Sequence, residues 1–398
     1  MFHGSSRVVF GSLFVALVLE RVVLVEAFVA AVPAAGSGIT STANFKATLF
    51  ASNETPLEDM AIPTTDVVEK VAVVGATGRL GRLVVRELLD RKVGTVVALV
   101  RSTERAMEVF GSSESSSLPN TLEIVTCDLL QAESVTAALQ GVDAALWCAT
   151  GFSSNQANST WIQRLQRVWN LATKQPTIDS VSLPLLAQAL SKRQAGKPTS
   201  VTYPRLVMCS SAGVTRPKWP ATKKSLLKGA ADIPIVRLNP FGILDLKRES
   251  EDTLRSDSSV PYCIVRPSGL NDDWPAGSRP ILTQGDVAVG RISRPDVATV
   301  MVDILSTPEA VGKTVEVLAV AGESYPAPPS LRPALRRLRL DTEGPLSEAM
   351  VEATYHVLQQ LLPGEKQAAN QLALGQTYEQ LDQDETGRFG PRGQEKLN

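Results

Sequence analysis

The stretch Lys70-Val71-Ala72-Val73-Val74-Gly75-Ala76-Thr77-Gly78-Arg79-Leu80-Gly81 decides the reading of this chain. A short β-branched run enters three glycines spaced three apart, and Leu80, Val84 and Leu88 then fall on one face of a helical pattern. Strand, glycine loop and helix in that order open a βαβ unit. Glycine allows a phosphate to approach the backbone closely, and the free N–H groups of a helix start receive it. Gly75, Thr77, Gly78, Arg79, Leu80 and Gly81 are therefore read as the pyrophosphate loop of a dinucleotide site, with spacing GxxGxxG in place of GxGxxG.

Working outward, a second strand is expected over Thr95–Val100, and a site specific for NAD would place an acid just beyond it, on the ribose 2′-hydroxyl. Here stands Arg101. Together with Arg79 it would offer guanidinium donors to a 2′-phosphate, which favours NADP(H); the plainer alternative is that both arginines decorate a solvent face. The third strand, Leu122–Thr126, ends at Cys127-Asp128-Leu129, and a fourth, over residues 144–149, ends at Thr150-Gly151. In a doubly wound sheet ligands lie beyond the carboxyl ends of the strands, which assigns Asp128 and Leu129 to the adenine side and Ala149, Thr150 and Gly151 to the ribose and pyrophosphate. Asp128 reads equally well as the N-cap of the helical run that begins at Gln131.

Further strands are expected over residues 205–209, 263–266 and 314–320, and Ser293-Arg294-Pro295-Asp296 reads as a capped start to a helix reaching Ile304. Between the fourth and fifth strands, residues 152–177 run long and polar and read as an insertion near the site, with Trp161 and Trp169 available for packing; a helix follows over 183–190. The whole reads as α/β: a doubly wound parallel sheet, a Rossmann fold, over residues 66–322, with a linker and C-terminal helical hairpin over 323–398.

Composition removes other classes. The 398 residues are 43% hydrophobic and 20% charged, with 40 basic against 41 acidic side chains, so no basic surplus points to nucleic acid. His3 and His356 are the only histidines, which leaves no Ser-His-Asp triad and no multi-histidine metal site. Cys127, Cys148, Cys209 and Cys263 are widely spaced in apolar runs and read as small core residues. At the N-terminus an apolar run over 8–19 follows Arg7 and precedes Val25-Glu26-Ala27, the pattern of a signal peptide ending at residue 27. Residues 28–65, acid-poor at first and rich in Ser, Thr and Ala, read as a transit segment. The tandem resembles the bipartite presequence of secondary, red-lineage plastids and implies the plastid stroma; the alternative is the secretory pathway. No membrane span is expected in the mature chain.

The motifs GATGRLG at 75–81, CDL at 127–129, CATGF at 148–152, MCSSAGV at 208–214, LKRESEDTLR at 246–255, YCIVRPSGL at 262–270 and ISRPDVA at 292–298 resemble the atypical, NAD(P)H-binding branch of the short-chain dehydrogenase/reductase superfamily. The resemblance implies a parallel sheet of about seven strands and NADP(H) along its carboxyl edge. It leaves the reaction open, because the branch holds reductases, redox sensors related to fungal nitrogen regulators, and plastid assembly factors. Reductases of the superfamily use a Tyr-x-x-x-Lys pair, and the resemblance implies Lys247 as the lysine and Ser210 as the helper serine. The tyrosine position holds Ile243. Lys247 also reads simply as a helix-surface partner of Glu251, four residues on.

Two functions follow from the missing phenol. Hydride transfer to a quinone-like or conjugated small molecule needs no protein acid, because water can protonate a stabilised product. The alternative is a non-catalytic NADP(H)-sensing regulator or assembly factor. Beyond Val320 the tail carries helical spacing over 346–361 and 365–381, separated by Pro363-Gly364, with an acidic surplus. It is expected either to cap its own domain or to dock a protein partner.

Overall fold

The structure is a computed structural model that describes residues 67–111, 118–149, 178–194, 201–239, 242–256, 260–320 and 326–361. The expected presequence, the insertion at 152–177 and the second tail helix lie outside the described residues. The first half alternates β1 (Lys70–Val74), α1 (Gly81–Asp90), β2 (Thr95–Val100), α2 (Thr103–Phe110), β3 (Leu122–Thr126), α3 (Ala132–Ala138), β4 (Ala144–Trp147) and α4 (Ile178–Gln194). After β5 (Leu206–Cys209) come three short helices, α5 (Ala221–Leu226), α6 (Lys228–Ala231) and α7 (Pro234–Leu238), and then α8 (Ile243–Ser256). The remainder is β6 (Tyr262–Pro267), β7 (Gly269–Leu270), β8 (Arg279–Thr283), β9 (Arg291–Ile292), α9 (Arg294–Leu305), β10 (Lys313–Val320), α10 (Arg332–Arg336) and α11 (Glu348–Leu361).

The main sheet has the order β3-β2-β1-β4-β5-β6-β10-β8. Seven strands are parallel, and β8 pairs antiparallel with β10 at one edge. This eighth strand was not expected from the sequence, because Arg279-Pro280-Ile281-Leu282-Thr283 carries a proline and a charge; both suit an edge. The inner strands read as unbroken apolar runs because both faces are covered. On one face Val71 and Val73 pack with Val84 and Leu88 of α1 and Met301 of α9; on the other Ala72 and Val74 pack with Leu183 and Leu186 of α4 and Leu254 of α8. Ser293 caps α9, its hydroxyl accepting from the Asp296 N–H at 3.1 Å.

The chain past β10 packs back onto this body. Leu331 and Leu335 around α10 are buried in the first core, and Val351, Tyr355 and Leu358 of α11 pack against Trp219, Leu227 and Val287. The Tyr355 hydroxyl accepts from the Gly229 N–H at 2.9 Å.

Buried charges join the second half of the fold. Glu251 of α8 is 0% exposed and accepts from Arg266 of β6 at 2.9 and 2.5 Å and from Arg255 at 2.7 Å. The expected Lys247–Glu251 surface pair is therefore corrected: Glu251 turns inward to arginines. Arg216, also 0% exposed, donates to the carbonyls of Asp286, Ala230 and Ala288, and Glu316 of β10 accepts from the N–H groups of Asp286 and Ala288. Two guanidinium groups hold Glu251 below its ordinary 4.5, against the opposing effect of burial. Its ionisation thus stabilises the fold fully above that value, and the contribution is lost as pH falls through the depressed folded-state value. Glu251→Gln, which leaves Arg266 buried without its hydrogen-bonded carboxylate, is expected to cost about 3–5 kcal/mol at neutral pH. Urea denaturation should show the gap to wild type narrowing by about pH 3.5; an equal gap at both pH values contradicts the assignment.

Candidate functional site

The strand order reverses between β1 and β4, whose ends lie side by side with Val74 opposite Trp147. The glycine loop crosses this point. Gly75 takes φ of +77°, and a Cβ placed on it would stand 2.9 Å from both the N and Cα of Ala149. At Gly81 the constraint is harsher, since a Cβ would lie 2.2 Å from the Gly75 carbonyl oxygen. Only glycine lets the first turn of α1 seat so closely on the end of β1. The Gly78 N–H closes the turn onto the Gly75 carbonyl at 2.9 Å, and Arg82 N–H bonds the Gly78 carbonyl at 3.0 Å. The N–H groups of Thr77, Arg79, Leu80 and Gly81 donate to no backbone carbonyl among the described residues. A cradle that side chains would fill, rimmed by free donors at the start of a ten-residue helix, fits a pyrophosphate.

Arg79 and Arg101 are both exposed, and neither is paired with an acid among the described residues. Parallel register sets Leu99 opposite Val74, so the residues just past β2 border the glycine loop. Asp128 lies at the end of β3, where its carboxylate accepts from the Leu130 N–H at 3.0 Å and the Gln131 side-chain amide at 2.8 Å. The N-cap of α3 is Gln131, without a side-chain cap, so Asp128 shapes the turn and is not that helix's N-cap. Leu129 supplies its carbonyl to the Ser182 hydroxyl of α4. Ala149 lines the loop crossing, while Thr150 and Gly151 lie outside the described residues.

At the other end of the crevice, Cys148 follows β4 and Cys209 closes β5, in register by continuation of the Trp147–Met208 pair. Both pack on the same face of the sheet. Burial pushes both thiols up, Cys148 well up, and the Lys247 ammonium opposes this at each. Lys247 is half-buried on α8, and its charge is felt at both thiols. Ser210, the residue after β5, is buried, and its Oγ lies near the Glu251 carboxylate, helping to hold it ionised, yet has no well-aligned partner among the described residues. Ile243, at the position the resemblance gives to a tyrosine, packs with Val214, Val236 and Leu244. Tyr262 cannot substitute, because it begins β6 at the opposite edge and its hydroxyl donates to Asp341 at 3.0 Å. Asn271, Asp272, Asp273 and Trp274 form a turn tied to α9 by the Asp272–Arg294 pair.

The buried network behind Ser210 escaped the sequence reading. Its signal was present, in an arginine within YCIVRP and a glutamate within KTVEVLAV, charges inside strands otherwise committed to burial.

The profile of the family described as NAD(P)H-binding matches residues 75–308, from the first glycine of the loop to just past α9. The chain belongs to this NAD(P)H-binding family. An uncharacterised chloroplastic protein of Arabidopsis thaliana is 30% identical over 259 residues, covering 64% of this chain and 78% of its own length. Protein TIC 62, chloroplastic, of the same plant is 30% identical over 264 residues, which are 63% of this chain and 35% of that protein. Among solved structures, the oxidoreductase ylbE from Lactococcus lactis aligns with a TM-score of 0.46 at 18% identity, over 68% of this chain and 96% of that one.

The geometry separates two glycines of this family member. In the absence of any nucleotide, Gly81→Ala should lose about 1–3 kcal/mol of stability, because the loop carbonyl must move. Gly78→Ala, whose Cβ would meet protein only at 3.1 Å, should melt within a few degrees of wild type. Thermal denaturation followed by circular dichroism checks the order; equal melting of both variants contradicts it.

Proposed function

We propose that this chain is an NADPH-dependent reductase of the plastid, acting on a quinone-like or conjugated small molecule. The chloroplastic relatives and the bipartite character of residues 1–65 support the location. Arg79 and Arg101, exposed and without an acidic partner among the described residues, support NADP(H) over NAD(H), because a guanidinium binds a 2′-phosphate through charge-assisted hydrogen bonds. Bound NADPH supplies the hydride.

The chain's own groups supply position and charge. The glycine loop and the α1 N-terminus hold the pyrophosphate, and Lys247 takes the part the resemblance gives it, holding the nicotinamide ribose and favouring developing negative charge on an acceptor; its charge felt at Cys148 and Cys209, which end β4 and β5, supports this. Proton donation is the missing part. Ile243 presents methyl groups where the superfamily keeps a phenol, and a serine hydroxyl such as that of Ser210 is too weak an acid to replace it. That single observation carries the reading: the acceptor must yield an anion stable enough to take its proton from water, which quinones do and simple ketones do not.

NADPH oxidation across quinones, flavins, aldehydes and ketones is expected to show turnover with the quinones and none with unconjugated carbonyls. The double variant Arg79→Ala/Arg101→Ala should weaken NADPH binding about 10–100-fold while leaving NADH binding unchanged; equal losses for both would remove the argument for NADP(H). Tight NADPH binding without turnover of any acceptor assigns the chain instead to a sensing or assembly role. The outward side chains of α11, Met350 and Val357, 45% and 51% exposed, would then be the surface to test for a protein partner.

A further inference from the structure

Between β5 and α8 the chain departs from its overall charge balance. Residues 216–238 hold Arg216, Lys218, Lys223, Lys224, Lys228 and Arg237 against Asp232 alone, in a chain whose net charge is −1. Arg216 is consumed by the buried network. Lys218 pairs with Asp245 at 3.4 Å and Arg237 with Asp232 at 3.3 Å. Lys223, Lys224 and Lys228 have no acidic partner among the described residues; Lys223 lies over the Trp219 ring at 4.6 Å, and the Lys224 ammonium donates to the Pro217 carbonyl at 2.8 Å. The segment keeps a positive surplus after every pair is counted.

The same segment turns large apolar side chains to water. Of the nine exposed among the described residues, Leu226 at 54%, Ile235 at 39% and Leu238 at 71% fall within thirteen residues of one another. The core does not need them. Leu227, between α5 and α6, packs with Val351 and Tyr355 of α11, and Val236 of α7 packs with Val214 and Leu244, so the segment already buries an apolar residue beside Leu226 and beside Ile235. Exposed apolar residues are common singly; three within thirteen residues, interleaved with lysines that have no acidic partner among the described residues, are not.

We propose that this lobe seats the protein on an anionic lipid surface, with Leu226, Ile235 and Leu238 entering the headgroup region and Lys223, Lys224 and Lys228 meeting lipid phosphate or sulfonate. Projecting leucines among lysines suit a deformable lipid surface, whereas protein interfaces favour aromatic and arginine anchors set in pockets. The proposal deepens the reductase reading, since quinone-like acceptors partition into membranes, but the contact itself needs neither cofactor nor turnover.

The test attaches an environment-sensitive fluorophore to the full chain at position 238 (Leu238→Cys) or, as control, at position 130 (Leu130→Cys), also exposed and placed after β3. Position-specific labels report the local contact even if the apolar N-terminal run itself binds lipid. Vesicles with about one-third phosphatidylglycerol should shift emission to the blue at 238 and not at 130, and pure phosphatidylcholine vesicles should shift neither. Lys223→Glu/Lys224→Glu/Lys228→Glu, with circular dichroism to show it folded, should weaken the response at least about tenfold. No shift at 238, equal shifts at both positions, or an unchanged response in the triple variant overturns the proposal. A shift with polyglutamate and not with vesicles overturns it in favour of an acidic protein segment. NADPH titration of the same labelled chain distinguishes these failures from failure of the cofactor reading.

Discussion

The contact between Gly81 and the Gly75 carbonyl is the constraint on which the site depends. Any side chain at position 81 would bring carbon to 2.2 Å from that oxygen, so the first turn of α1 reaches the end of β1 only because both residues are glycine. That approach seats the start of α1, with N–H groups of 79–81 that donate to no backbone carbonyl among the described residues, beside the point where the strand order reverses. Arg79 and Arg101 take their meaning from this geometry, since they stand beside the loop, exposed and without an acidic partner among the described residues.

A different kind of bond organises the second half. Arg266 and Glu316 are charges inside parallel strands, and each is neutralised by groups arriving from elsewhere in the sequence: Glu251 from α8, Arg216 from the turn after β5, and the backbone of residues 286–288. Burial and the nearby Asp286 carboxylate push Glu316 above the ordinary range of a carboxylic acid, while Arg216 and Arg266 oppose this. Such networks are costly unless complete. This one holds the walls of the crevice, because it ties α8, which carries Lys247, to β6 and places Ser210 beside Glu251.

The βαβ unit was legible from residues 70–100 alone, since strand, glycine spacing and amphipathic helix depend on local pattern. The parallel strands were legible for the same reason, as runs buried on both faces. What failed was whatever required knowing partners across the fold. Glu251 reads as a surface partner of Lys247 by helical spacing, yet it faces Arg266, fifteen residues on and in another element. Asp128 offers an N-cap by residue type but instead accepts from Leu130 and Gln131 within its own turn. β8 carries a proline, so its strand character comes from pairing with β10 and not from propensity. Ile243 was visible at the position the resemblance gives to a tyrosine, but its packing with Val214 and Val236 could be seen only in three dimensions.

The central claim is that the turn after β1 holds the pyrophosphate of NADP(H). Calorimetric titration of the purified chain with NADPH tests it most directly. The account predicts saturable heat at one equivalent, with NADH binding more weakly by about tenfold or more, the worth of a lost charge-assisted contact to the 2′-phosphate. A titration that stays flat to millimolar NADPH would contradict it.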